Sequence, residues 1–174
     1  LYRVIGGISP SFALNGTAFS GAVRSIWSRS GTETWAVGLS GTVVKVSGST
    51  TTVVPTAMTG AGTTALYSVH GAASPNKYVW MVGASGTVIR YDSVTGLYKT
   101  ITSPVISRLT SVVAFSDTDV WISGDNGVLL HSDGNAISTF SGPFGTRNLT
   151  EMFSPAANDI WMAGTGNSLW RYQP

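Results

Sequence analysis

The chain has 174 residues, of which 10% are charged and 43% apolar, with six Trp and no Cys. That length makes one domain, residues 1–174, the default and supports a core without a disulfide or a structural metal. Ten Lys and Arg against eight Asp and Glu leave a formal charge of +2 on singly scattered residues, which excludes a nucleic-acid footprint, and no apolar run approaches the length of a membrane span.

The chain opens mid-pattern. Leu1-Tyr2-Arg3-Val4 aligns with Val88-Ile89-Arg90-Tyr91 and with Leu169-Trp170-Arg171-Tyr172. It therefore starts on the third strand of a repeated unit, and a fourth strand is expected around Ile8 to Leu14. From Val23 onward one phrase recurs four times. An apolar strand comes first: Val23 to Trp27, Leu66 to His70, Leu109 to Val113, Leu149 to Phe153. A polar loop follows, then a strand centred on Trp35, Trp80, Trp121 or Trp161, so the spacing is 45, 41 and 40 residues. A Gly three residues after each Trp opens what reads as a two-residue hairpin turn: Leu39-Ser40, Ala84-Ser85 and Asp125-Asn126, each closed by a second Gly. The fourth copy reads as shifted by one, with Gly164 and then Gly166-Asn167. Third strands follow, and then weaker fourth strands at Thr51 to Val54, Leu97 to Ile101 and Ala136 to Phe140.

Four antiparallel strands per 40 to 45 residues is the signature of a β-propeller blade. The expected fold is all-β, with about four four-stranded blades, standing alone or within a larger propeller. The blades are expected at 23–65, 66–108, 109–148 and 149–174, after a partial blade at 1–22. The strands are apolar on both faces, as sheets covered on both sides are. A solenoid is the rival, disfavoured because no helical periodicity is found. The ends suggest a closure in which Ile8 to Leu14 pairs with Ser168 to Tyr172 and removes an exposed edge.

Leu109-Thr-Ser-Val-Val, Asp119-Val-Trp-Ile-Ser-Gly-Asp-Asn-Gly and Leu130-His-Ser-Asp-Gly together form a recognisable phrase. It resembles the bacterial propeller repeats related to the photosystem II assembly factor and to sialidase-type Asp-box proteins. The resemblance runs from Val23 onward and implies a β-propeller, usually extracytoplasmic. Ser132-Asp133-Gly134 is a contracted Asp-box and Asp92 to Tyr98 a loose one. The arginine triad, Tyr/Glu pair and acidic residue of a sialidase have no counterparts at matching positions.

The recurring residues read as structural. The blade Trp residues are expected between blades, because large aromatics dominate core energetics. Glu33, Asp119 and Asp159, each two residues before a Trp, lack the further carboxylates of a calcium site and read as strand-entry residues. A basic residue recurs on the third strands: Arg3, Lys45, Arg90, His131 and Arg171. A two-residue turn places the last four opposite Thr34, Val79, Val120 and Ile160. Long stems there cover the face between blades while the heads reach solvent. His70 and His131 are the only histidines and have no partner ligands nearby, so no metal and no cofactor is expected. No nucleophile elbow and no phosphate loop is found. Asn15-Gly-Thr17 and Asn148-Leu-Thr150 match the glycosylation triplet by chance in a Thr-rich chain.

The less repetitive positions are the binding candidates. First strands line a propeller's channel, and the segments before them form one mouth. Arg24, Tyr67, Arg108, Arg147 and Glu151 lie there, with Met58, Tyr98 and Phe144 in or beside the variable connections. Arg and Tyr are favoured at recognition surfaces. The leading expectation is a secreted, surface-displayed or periplasmic non-catalytic module that binds a protein partner or a glycan. The alternatives are a structural segment of a larger adhesin, filament or shell assembly, with homo-oligomers, and a sialidase-like glycoside hydrolase acting through Glu151 or Tyr67.

Overall fold

A computed structural model describes the backbone of residues 2–4 and 10–13 and the whole of residues 21–173. β1 (Tyr2–Val4) and β2 (Pro10–Ala13) pair with each other as a separate two-stranded sheet. Blade 1 consists of β3 (Val23–Ser30), β4 (Glu33–Gly38), β5 (Val43–Ser47) and β6 (Thr50–Val53). A single helical turn, α1 (Thr56–Thr59), leads to blade 2: β7 (Leu66–Gly71), β8 (Tyr78–Gly83), β9 (Val88–Asp92) and β10 (Tyr98–Thr100). Blade 3 holds β11 (Leu109–Ser116), β12 (Asp119–Gly124), β13 (Leu129–Ser132) and β14 (Ile137–Thr139). Blade 4 holds β15 (Leu149–Ala156), β16 (Asp159–Gly164) and β17 (Ser168–Tyr172). Each sheet is an antiparallel meander in chain order. β-branched and aromatic runs cut by Gly leave the chain little else to form.

The central hairpins are not the expected two-residue turns. Leu39-Ser40-Gly41, Ala84-Ser85-Gly86 and Asp125-Asn126-Gly127 are three-residue loops, closed by Gly38 N donating to Thr42 O at 2.9 Å and by the equivalent bonds from Gly83 and Gly124. The second and third loop residues are left-handed: φ is 53° at Ser85 and 67° at Gly86, 61° at Asn126 and 70° at Gly127. The fourth loop, Thr165-Gly166-Asn167, has φ of 74° and 56° at the same two places. It is therefore in step with the others, and Gly and Asn have only exchanged positions. Gly and Asn are the residues that tolerate this region.

The extra loop residue moves the strand register by one. Trp35 stands opposite Lys45, Trp80 opposite Arg90, Trp121 opposite His131 and Trp161 opposite Arg171. The residue before each Trp, expected as the partner, is one step away. The basic side chain therefore lies on its own blade's indole: Lys45 Nζ is 5.1 Å from the Trp35 ring, Arg171 Cζ 5.2 Å from Trp161, and the His131 ring 4.6 Å from Trp121. The acid two residues before the Trp completes the set. Trp35 Nε1 donates to Glu33 at 2.9 Å and Trp121 Nε1 to Asp119 at 3.0 Å. Blade 2 has Tyr78 in that place. There Trp80 Nε1 is buried without a partner among the described residues, and Arg90 stacks on Tyr78 at 3.9 Å.

The blades pack face to back. The forward face of blade 1 (Trp35, Val37, Val43) lies on the back face of blade 2 (Leu66, Val69, Val79, Met81, Ile89). Trp80, Val82 and Val88 meet Leu109, Val112, Val120, Ile122 and Leu130 of blade 3. Trp121 and Leu129 meet Leu149, Met152, Ile160 and Met162 of blade 4. Burying each such Leu, Val, Ile or Met stabilises by about 1.5–3 kcal/mol. Polar bonds cross the same seams: Lys45 Nζ donates to Tyr91 Oη at 3.2 Å, and Arg90 Nη1 donates to Gly134 O.

Blade 4 departs from the expectation of two covered faces. Its forward face carries Phe153 and Leu169, each 65% exposed, and a half-buried Trp161. The expected terminal closure is also not formed by the described strands. β2 pairs with β1, Val4 standing opposite Pro10, and β17 pairs with β16. A hairpin between strands adjacent in sequence closes a far shorter loop than a pairing between the two ends. Leu1, residues 5–9 and residues 14–20, including Ile8, Leu14 and Asn15, lie outside the described residues.

Candidate binding site

Each first strand carries a bulge one residue from its start. Pairing shifts between Val23 and Ser25, Leu66 and Ser68, Leu109 and Ser111, and Leu149 and Glu151. Arg24, Tyr67, Thr110 and Thr150 are the residues at these bulges, and bulges re-aim side chains. Thr110 donates across the seam to Leu149 O at 2.6 Å, and Thr150 turns back and donates to Ala163 O at 3.1 Å. Arg24 is exposed and Tyr67 half-buried.

After the bulge the first strands stand side by side around a cavity of about 330 Å³. A serine repeats here. The Val69 amide donates to Ser25 Oγ at 3.3 Å, the Val112 amide to Ser68 Oγ at 3.2 Å and the Met152 amide to Ser111 Oγ at 3.1 Å. These hydroxyls lace neighbouring blades together at their inner edge. In sequence they are the Ser of the repeated phrase, and its period was the signal for them. Their role was not legible, because the acceptor's partner lies some 40 residues away.

Glu151 occupies this serine position in blade 4. Its Oε1 accepts from Ser111 Oγ at 3.0 Å, and it faces the cavity. His70, also in the cavity wall, accepts from the Ala114 amide through Nδ1 at 3.1 Å. Burial lowers its pKa to about 4, so the ring is neutral at pH 7 with its proton on Nε2. Phe153 and Ile26, 65% and 55% exposed, add apolar wall at the two ends of the arc.

The structure brings together two of the expected mouth residues. Arg108 lies 5.5 Å over the Tyr67 ring and pairs with Asp125 through Nε at 2.9 Å and Nη2 at 3.0 Å. The hydrogen bond that Arg108 donates to Asp125 raises the Arg108 pKa further, so this cation is held within the rim. Arg147 is exposed, and Arg24 stands apart on blade 1. Met58 is 55% exposed on α1. Phe144 is corrected from a surface candidate to core, and Tyr98 to a half-buried residue packed against the core. Phe144 is 3% exposed against Trp170, and Tyr98 packs on Tyr91 with ring centroids 4.8 Å apart. Both sit under the connections because those connections cross apolar seams between blades. Among the described residues no group of three His, Cys, Asp or Glu is placed to hold a metal, and no helix is long and apolar enough to cross a membrane.

No protein-family model matches the chain, and no curated protein sequence does. Solved structures match its fold. YCF48 bound to D1 peptide superposes with a TM-score of 0.61 at 10% identity, covering 90% of this chain and 55% of that one. YCF48 from Cyanidioschyzon merolae gives 0.65 at 12%, covering 92% and 56%. A protein of unknown function from Bacteroides thetaiotaomicron gives 0.66 at 12%, covering 91% and 42%. The chain thus spans about half the length of the solved chains it matches. YCF48 is a photosystem II assembly factor, so the resemblance carried by the repeat phrase is met at the level of fold.

Proposed function

We propose that this chain is a non-catalytic propeller-type module that binds a segment of a protein partner in the concavity formed by its first strands. One observation carries the reading. The cavity of about 330 Å³ is open, walled by Phe153 and Ile26 at 65% and 55% exposure, and offers hydroxyl, imidazole and carboxylate groups on rigid strands. A concave, mostly apolar site with a few converging polar groups is the usual form of a ligand site. The capture of a D1 peptide by YCF48, which shares this fold, supports a peptide as the ligand class. A glycan has less support, because Trp35, Trp80 and Trp121 are 0 to 6% exposed, which leaves the half-buried Trp27 as the one indole in the cavity wall among the described residues. The low charge content supports an extracytoplasmic setting, which fractionation of the source cells with an antibody against the chain tests directly.

Selection from a displayed random peptide library, followed by Phe153→Ser and Tyr67→Ala, tests the binding reading. Selected peptides are expected to lose about tenfold or more in affinity on either change. Peptides indifferent to both changes sink it. A second reading rests on the open forward face of blade 4: the arc as one segment of a larger assembly. Sedimentation at several concentrations decides that point, since an assembly gains mass with concentration and a binding module alone does not.

A further inference from the structure

We infer that Glu151 makes the central cavity selective for a cationic side chain, a Lys or Arg of the partner. This deepens the peptide-binding reading and rests on it. Four observations converge. First, the position is a serine in blades 1 to 3, and each serine accepts one amide hydrogen bond from the next first strand. A hydroxyl is enough for that task; the carboxylate in blade 4 takes one bond across the seam, from Ser111 Oγ at 3.0 Å, and adds a charge that no serine supplies.

Second, Glu151 is the one charged side chain among the described residues lining the cavity, where the other polar groups are hydroxyls and a neutral His70. A lone charge within a walled concavity focuses its field on the space it faces. Third, the carboxylate is oriented but not used up. Ser111 Oγ receives the Met152 amide and donates onward to Glu151 Oε1, while Oε2 receives no hydrogen bond from the described residues. The rim cation Arg108 is paired with Asp125 at 2.9 Å, and no ion pair joins Glu151 to a cation among the described residues. Fourth, Phe153, two residues along the same strand, supplies apolar surface in the same cavity wall. The aliphatic stem of Lys or Arg packs on such a surface while its head reaches the carboxylate.

The test is an amide-resolved NMR titration of the intact chain with three probes: Nα-acetyl-lysine amide, Nα-acetyl-arginine amide and the uncharged Nα-acetyl-norleucine amide. The two cationic probes are expected to shift the amides of Ser111 and Met152 and the Trp27 indole. Their Kd should be at least about fivefold below that of the norleucine probe. Glu151→Gln and Glu151→Ser should erase that difference and leave the norleucine probe unchanged. The Ser variant restores the repeat's own residue, so the fold is retained and a dispersed spectrum verifies it. Equal binding of all three probes, no binding by either cation, or a preference that survives Glu151→Gln overturns the inference. Peptides from the display selection separate the two readings. If they bind in the cavity without enrichment in Lys or Arg, the cation preference falls and the binding site stands. If they bind elsewhere, both fall.

Discussion

Blade 2 and blade 4 are built from the same phrase and end in different surroundings. In blade 2 the forward-face residues Trp80, Val82 and Val88 are all 0% exposed under blade 3. In blade 4 the equivalent Trp161 is half-buried, Ala163 is exposed and Leu169 is 65% exposed. The back faces of the two blades are alike, with Leu66 and Leu149 both fully covered. So the repeat encodes a sheet with two different faces, and position in the arc decides whether the forward face is used. Asp159 still pairs with Arg171 at 2.8 Å and Arg171 still stacks on Trp161 in blade 4. The acid–indole–base set is therefore a property of one hairpin and does not require the neighbouring blade.

The largest test of this contrast is the paired substitution of the two tryptophans. Trp80→Ala empties a fully enclosed site and is expected to cost about 3–5 kcal/mol. Trp161→Ala on the open face should cost about 1 kcal/mol. Urea unfolding midpoints of the two variants measure the difference, and equal losses would show that blade 4 is covered in solution.

A second pair sharpens the same contrast at the hairpins. A Cβ on Gly86 would run into the Val105 carbonyl, because the connection to blade 3 passes over the loop. Gly166 would meet only the Arg147 side chain, at 3.4 Å. Both have φ near 70°, so both pay left-handed strain of about 1–2 kcal/mol on substitution by Ala. Gly86→Ala adds the clash, for a total of about 2–4 kcal/mol. Thermal midpoints should fall further for Gly86→Ala, and the opposite order would refute the role of the connection.

The third test uses pH at a covered position. His70 corresponds to the open Phe153 in blade 4 and titrates near 4 in the folded chain against 6.5 ordinarily. The unfolded chain takes up a proton below pH 6.5 and the folded chain only below about 4. Stability should therefore fall as pH drops through that window, by on the order of 2–3 kcal/mol. His70→Val, which installs the residue found at Val113, should flatten the slope between pH 6.5 and 4. A slope that persists in the variant removes His70 as its cause.

The smallest effect is expected at Leu169. Leu169→Lys on the exposed forward face should change stability by about 0.5 kcal/mol or less. A loss of several kcal/mol, read by the same urea titration, would mean that this face is buried against another surface in solution.

Much of this was written in the local pattern. The Trp spacing and the Gly residues after each Trp place the strands, because strand alternation and left-handed turns are decided by neighbours a few residues apart. The hairpin register was not written there. A two-residue and a three-residue loop share the same Gly pair, and the extra left-handed residue moves every cross-strand partner by one. That step turned the recurring basic residues from neighbours of Val79 and Val120 into partners of Trp80 and Trp121.

The burial of Phe144 is hidden in the sequence because the connection that carries it looks polar and yet crosses an apolar seam between blades. The serine lacing and the singularity of Glu151 needed the assembled arc, since each bond joins residues about 40 apart in the chain. By itself the sequence determined the strands, their grouping in fours and the places where the chain turns, since these follow from periodicity and from the Gly and Asn of the loops. Only the tertiary structure decided which forward face is covered, which rim cation is held by Asp125, and which carboxylate is left facing an open cavity. Those outcomes depend on what a residue meets across space, and burial and pairing are set there.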